Sequence, residues 1–177
     1  NTAQGQFESK ADFLKHTLGT LGDGDNSSPT PRDVILYGFG RIGRLAAREL
    51  IKQAGKGQQL RLRAIVTRSA DPATIKKRAA LLRNDAVHGP FAGTIAEDVD
   101  NKILRINGQL VQMIEAKNPE DVDYTQYGIQ NALVIDNTGV YTDKEALGRH
   151  LQSKGVSRVI LTAPGKEIPN IVYGVNH

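Results

Sequence analysis

Apolar residues change period several times along the chain, and the changes mark its elements. Val34-Ile-Leu-Tyr37 is a short unbroken apolar run that enters Gly38-x-Gly40-x-x-Gly43. Beyond it Ile42, Leu45, Ala46 and Leu50 fall near one helical face, predicting a helix to about Gln53 that stops at Ala54-Gly-Lys-Gly57. Leu60, Leu62, Ala64 and Val66 then alternate with Arg61 and Arg63, a second strand ending at Thr67. Strand, helix and strand make a β-α-β unit of the usual ~30 residues. Asp71-Pro72 supplies an N-cap and a first-turn proline for another helix, striped by Ile75, Ala79 and Leu82. The segment Arg83-Asn-Asp-Ala-Val-His-Gly-Pro90 is turn-rich.

Three short strands are predicted next, over 94–96, 102–106 and 110–114, the last two joined by Asn107-Gly108, a hairpin signal. They suggest a small antiparallel side sheet. Ala132-Leu-Val-Ile135 resumes the main sheet as a strand buried on both faces. Thr142-Asp-Lys-Glu145 matches a capping box, opening a helix that carries Ala146, Leu147 and Leu151 to Gly155. Val156 to Leu161 is a further buried strand, ending Thr162-Ala-Pro-Gly165. Ahead of all this, Phe7, Ala11, Leu14 and Leu18 recur at helical spacing, and a turn-rich linker follows them to Pro31. The fold expected is α/β: a Rossmann-like doubly wound parallel sheet over 32–177 with a small antiparallel side sheet, preceded by a helical extension and linker over 1–31. That extension is either a tail without a role or an arm that packs on a neighbouring subunit.

The glycine motif carries chemistry because of where it stands. Gly38 permits a tight strand-to-helix turn, Gly40 lets backbone amides approach a pyrophosphate, and Gly43 allows helix and strand to pack closely. Unpaired amides and the positive dipole end of the new helix face the phosphates, so no basic residue is needed there. The chain has 177 residues, no cysteine and a net charge of +4. The absent cysteines exclude a disulfide framework, a thiolate metal site and a cysteine nucleophile within these residues. No apolar run reaches membrane-span length and no signal pattern opens the chain, so a cytoplasmic protein without a membrane partner is expected. Between residues 61 and 83 seven basic groups stand against Asp71 alone. That segment reads as a solvated helix face, a phosphate site or a nucleic-acid surface, the last ranked lowest for want of aromatic residues to stack bases.

In β-α-β units of this kind an acid at the tip of the second strand commonly holds the ribose 2′-hydroxyl of NAD, and an arginine nearby can accept the 2′-phosphate of NADP. Here the strand ends Val66-Thr67-Arg68-Ser69, with no acid at its tip. A guanidinium offers forked, charge-assisted donors, which predicts NADP tolerance or preference. The competing reading makes Arg68 an ordinary surface arginine, with Asp71 standing in for the missing acid.

Several strings together resemble the N-terminal half of a phosphorylating glyceraldehyde-3-phosphate dehydrogenase: Tyr37-Gly-Phe-Gly-Arg-Ile-Gly-Arg44, Asn84-Asp-Ala-Val-His-Gly-Pro-Phe91, Asn137-Thr-Gly-Val-Tyr-Thr-Asp143, Thr162-Ala-Pro164 and Val172-Tyr-Gly-Val-Asn-His177. They follow in family order and spacing from about Arg32 onward. Residues 1–31 look like the extension of longer bacterial forms. The resemblance implies an NAD or NADP site in which Phe39, Arg41 and Ile42 line the pyrophosphate and adenosine side through their backbone. It places Thr67 at the family's usual acidic ribose-binding position and Lys117 where many members have an arginine beside the adenine. Thr138 and Gly139 lie under the cofactor and Thr162 approaches its nicotinamide end. Asp85 and His88 are structural.

The same resemblance implies a whole enzyme that oxidises a phosphorylated aldehyde with inorganic phosphate, as a homotetramer. A cysteine thiolate attacks the aldehyde, a histidine activates the thiol, and hydride passes to the cofactor. The family's nucleophile lies a short way beyond the Gly-Val-Asn-His string, and the chain both starts without methionine and stops at that string. It is therefore expected to be a fragment that binds dinucleotide and catalyses nothing by itself. None of His16, His88, His150 and His177 is assigned the base. Erythrose-4-phosphate dehydrogenase shares these motifs and stays open as an alternative. So does a non-catalytic module binding nucleotide or nucleic acid through the 61–83 segment.

Overall fold

The computed structural model describes residues 30–55 and 57–176, together with residues 9, 11–13 and 16. The chain divides into two compact units, Asn1–Thr30 and Pro31–His177. In the first unit residues 11–13 and His16 are helical; Phe7, Leu14 and Leu18 of the anticipated helix lie outside the described residues, as does His177.

The second unit is built on a seven-stranded sheet. Its strands are β1 (Arg32–Tyr37), β2 (Leu60–Thr67), β5 (Ile95–Asp98), β6 (Ile103–Ile106), β7 (Gln109–Glu115), β8 (Ala132–Asp136) and β9 (Val156–Leu161), and the order is β5-β6-β7-β2-β1-β8-β9. The five strands from β7 to β9 run parallel, with β1 central and β2 and β8 on its two sides. This is the doubly wound arrangement, whose crossover reverses at β1. The antiparallel strands β5 and β6 do not stand apart as a side sheet. Because β7 pairs with β2 on one edge and with β6 on the other, they extend the main sheet. The separate small sheet is elsewhere, in the turn-rich segment, where β3 (Asn84–Asp85) meets β4 (Gly89–Pro90).

Alternation along the central strands splits the core into two layers. Val34 and Leu36 of β1 and Leu62 and Ile65 of β2 pack with the helices α1 (Arg41–Lys52) and α2 (Pro72–Arg83). Ile35, Tyr37, Ala64 and Val66 instead meet Tyr124, Ile129 and Val134. Both β1 faces are thus covered, which is why its run is continuously apolar. Two 3-10 turns, Pro119–Asp121 and Tyr124–Tyr127, cover the second face without any periodic signature. Asn107 and Gly108 both have positive φ, 47° and 83°, as the tight β6–β7 hairpin requires.

Four local readings are corrected. The buried face of α1 is Gly43, Ala47, Leu50 and Ile51, leaving Ile42 half exposed; the helix is turned so that its glycine, not a bulky side chain, lies against the β1 turn. The N-cap of the later helix is Asp143, whose carboxylate accepts from the Ala146 amide at 2.8 Å, and not Thr142. That helix, α3 (Lys144–Gly148), gives way to a 3-10 turn over Arg149–Gln152 instead of running on. Finally β9 is an edge strand with Ser157, Arg158 and Ile160 exposed; an apolar run does not distinguish an edge from the centre.

Candidate functional site

The carboxyl ends of β1, β2, β7 and β8 open on a cleft of about 320 Å³, at the switch point where open α/β sheets hold their ligands. β1 hands over to Gly38 at φ +87°, a conformation that glycine adopts without strain. A Cβ on Gly38 would stand 2.8 Å from Thr138 Cγ2 and 3.2 Å from the Thr138 amide, so the turns after β1 and β8 touch with no room for a side chain. A Cβ on Gly43 would overlap the Gly38 carbonyl oxygen, and that close approach seats α1 on the turn. Gly40 is different: nothing lies within 4 Å of its would-be Cβ. It is the N-cap of α1 and offers no side-chain capping bond. The first amides of the helix therefore face outward with no intrahelical acceptor, an arrangement suited to an anion.

Six of the residues singled out in the sequence line the cleft: Gly38, Phe39, Thr67, Arg68, Lys117 and Thr138. Gly40, Arg41, Ile42 and Gly43 form the loop and first turn of α1 beside it, outside its lining. Gly139 and Thr162 also fall outside the lining. Thr162 is bound to the β8 tip, its amide and hydroxyl both donating to the Asp136 carbonyl at 3.0 Å. Thr67 is buried, and its hydroxyl donates to the Ser69 carbonyl at 2.6 Å, closing the turn after β2. Arg68 and Lys117 are exposed.

The carboxylates near the β2 tip are occupied elsewhere. Asp71 caps α2, accepting from the Thr74 amide at 2.9 Å, the Thr74 hydroxyl at 2.6 Å and the Ser69 hydroxyl at 2.6 Å. The Ser69 and Thr74 hydrogen bonds hold it well below the usual carboxylate range. Glu115 accepts from the Ala70 amide at 3.2 Å. Neither lines the cleft.

Sequence reasoning missed part of the wall: Tyr37, Val66, Arg78, Ala116, Val140 and Tyr141. Arg78 is the consequential one. Lys76 and Lys77 point outward, but Arg78 lies three residues after Ile75 and four before Leu82, beside the buried stripe of α2, and that phase was the available signal. Its Nη1 donates to the Phe39 carbonyl at 3.2 Å.

The floor at β8 is set by a buried pair. Asp136 has no exposure, and its Oδ1 accepts from both the Thr138 amide and the Thr138 hydroxyl at 2.7 Å. Its Oδ2 meets His150 Nε2 at 2.8 Å. His150 is buried, with the rings of Tyr37 and Tyr141 edge-on to it at 4.6 and 5.6 Å. Burial is the main reason the Tyr37 hydroxyl is pushed far above its ordinary pKa. Asp85 and His88 lie outside the cleft and organise the β3–β4 turn. Asp85 accepts from Arg44 at 2.9 Å and from the Val87 and His88 amides at 3.0 and 3.1 Å.

Residues 32–144 match the family model described as glyceraldehyde 3-phosphate dehydrogenase, NAD binding domain. A glyceraldehyde-3-phosphate dehydrogenase-like protein of Pseudomonas aeruginosa (strain UCBPP-PA14) is 52% identical over 177 residues, covering 99% of this chain and 38% of that one. Chloroplastic glyceraldehyde-3-phosphate dehydrogenase A of Zea mays is 35% identical over 179 residues, covering 99% and 42%. The enzyme of Lactococcus lactis subsp. lactis (strain IL1403) is 35% identical over 145 residues, covering 81% and 40%. The chain thus spans about two fifths of the length of these relatives. No helix among the described residues is long and apolar enough to cross a membrane. With the doubly wound sheet, the glycine-rich turn after β1 and a family match over most of the second unit in agreement, the chain belongs to the glyceraldehyde-3-phosphate dehydrogenase family and carries its NAD-binding domain.

Proposed function

We propose that this domain binds NADP in preference to NAD, and that the whole protein is a phosphorylating glyceraldehyde-3-phosphate dehydrogenase. The observation that carries the cofactor reading is the charge of the cleft: Arg68, Arg78 and Lys117 line it and no carboxylate does. A 2′-phosphate brings two further negative charges to the ribose, where a carboxylate would repel it and a guanidinium gives it paired donors. The alternative acid, Asp71, is committed to the α2 cap.

The fit of the chain's groups to a dinucleotide is local and specific. The first amides of α1 take the pyrophosphate, Gly40 leaves it room, and the Thr138 turn supports the cofactor from below. When bound, the nicotinamide supplies a hydride acceptor for aldehyde oxidation. The residues described here bind and orient; the thiol nucleophile, its histidine base and the phosphorylated substrate's pocket belong to the remaining three fifths of such an enzyme, a cytoplasmic homotetramer.

Calorimetric titration with NADP and NAD at one fixed salt concentration tests the reading. The parent chain is expected to bind NADP more tightly. A hydrogen bond to a charged group is worth ~1.5–3 kcal/mol, so Arg68→Ala is expected to weaken NADP by about tenfold to a hundredfold and to leave NAD nearly unchanged. Equal losses for both cofactors refute the assignment of Arg68. Binding that ignores the 2′-phosphate and falls steeply with salt points to phosphate-driven nucleic-acid binding instead.

A further inference from the structure

Arg78 is one of the arginines that no carboxylate neutralises among the described residues, as are Arg32, which donates to Asn131 and Ser157, and Arg63, which donates to the Tyr127 carbonyl; of these three it alone lines the cleft. Arg44, Arg61, Arg83 and Arg149 each close on a carboxylate, Asp85, Asp33, Glu97 and Glu120 respectively. Arg48 lacks one but gives hydrogen bonds to the Leu82 and Gly89 carbonyls and lies 5.8 Å from the Phe91 ring centre. Arg78 is half-buried, has the single Phe39 carbonyl as acceptor, and keeps a buried Nε with no partner among the described residues. A guanidinium has five N–H donors and keeps its charge, and one withdrawn from water with a single acceptor is stabilised by an anion that takes the remaining donors. The side that remains open to Arg78 is the cleft.

The position identifies the anion. Arg78 rises from α2, the helix entered through the turn that carries Arg68, and it reaches the phosphate loop at the residue between Gly38 and Gly40. It therefore bridges the β1 and β2 tips, between which the adenosine ribose of a dinucleotide sits in this fold. The pyrophosphate is already served by the amides of α1. We propose that Arg78 is a second specificity-determining residue, gripping the 2′-phosphate of NADP from the helix side while Arg68 grips it from the strand tip. Its bond to the Phe39 carbonyl then ties recognition of that phosphate to the position of the glycine loop. This inference rests on the NADP reading above.

Titrating the parent chain, Arg78→Gln and Arg78→Lys with NADP, NAD, 2′,5′-ADP and 5′-ADP separates the possibilities. Arg78→Gln is expected to weaken NADP and 2′,5′-ADP by about tenfold to a hundredfold, with NAD and 5′-ADP changed less than about twofold. Arg78→Lys, a point charge without the fork, is expected to fall between. If Arg78→Gln weakens all four ligands alike, Arg78 merely supports the loop and the proposal is overturned; it is equally overturned if none is weakened. Either result, with NADP preference retained in the parent and lost in Arg68→Ala, leaves the parent reading standing. A parent chain with no NADP preference, and no response to Arg68→Ala, removes both.

Discussion

The three glycines of the phosphate loop are separable by experiment, because the structure gives each a different obstruction. Gly40→Ala meets nothing within 4 Å, and its backbone, φ −76° and ψ −158°, suits any residue. Restricting the unfolded chain gains ~0.4–1 kcal/mol, while alanine is a poorer N-cap than glycine by a similar amount. The two effects offset, and stability is expected to move by less than about 1 kcal/mol. Binding is another matter. The new methyl occupies the space through which a pyrophosphate must approach the α1 amides, and losing one charge-assisted hydrogen bond of ~1.5–3 kcal/mol costs tenfold to a hundredfold in affinity. Gly43→Ala inverts the pattern. Its Cβ overlaps the Gly38 carbonyl oxygen and comes within 3.3 Å of the Gly38 carbonyl carbon, both backbone atoms. Overpacking of ~1–3 kcal/mol then exceeds the ~1 kcal/mol that alanine gains over glycine in a helix. Thermal melts and calorimetry on both variants decide the matter. Unchanged dinucleotide affinity in Gly40→Ala would refute the role given to that loop, and a raised melting temperature in Gly43→Ala would refute the packing argument.

Two further outcomes follow from buried polar groups. Tyr124 has no exposure and its hydroxyl has no partner among the described residues, so Tyr124→Phe is expected to leave the melting temperature unchanged or raise it, as removing an unsatisfied buried group does; a loss above ~1 kcal/mol would show that the hydroxyl is satisfied after all. Asp85 is held well below its ordinary 3.8 by the Val87 amide first, then Arg44 and the His88 side chain. A depressed carboxylate contributes stability that is present above its unfolded value and is lost as pH falls from there through the folded one. Acid unfolding of the parent is therefore expected to steepen below about pH 4, and Asp85→Asn to be less stable at pH 7 with a shallower acid limb; identical acid slopes would contradict this.

Local signals carried much of the design. Asp71-Pro72 caps α2, Asn107-Gly108 makes its hairpin, and the runs at 34–37, 60–67 and 132–135 are strands of one sheet because each pattern reflects chemistry within a few residues. Apart from the N-cap at Asp143, the misses are tertiary. Nothing periodic marks the 3-10 turns at Pro119–Asp121 and Tyr124–Tyr127, which form because Tyr124 and Val122 have a sheet face to cover. The phase of α1 could not be read from Ile42 and Leu45, since the contact that orients the helix is made by a residue without a side chain. At the site, the glycine loop and the basic β2 tip were plain, but Arg78 was one of three consecutive basic residues, and only its helical phase set it apart.

His150 shows why a site of this kind extends further than its lining. It does not itself line the cleft, yet it packs against the Tyr37 and Tyr141 rings of the wall and holds one oxygen of Asp136 while Thr138 takes the other with both its amide and its hydroxyl. Thr138 in turn lies against Gly38 so closely that no Cβ fits between them. The turn after β8 therefore fixes the turn after β1, and the Asp136 carboxylate is the joint. Leaving a buried polar group without its hydrogen-bond partner costs ~1–3 kcal/mol, because water cannot reach it to replace the bond. That cost resists any movement of the joint, so the floor of the cleft is held by the interior of the domain and does not depend on the ligand to order it.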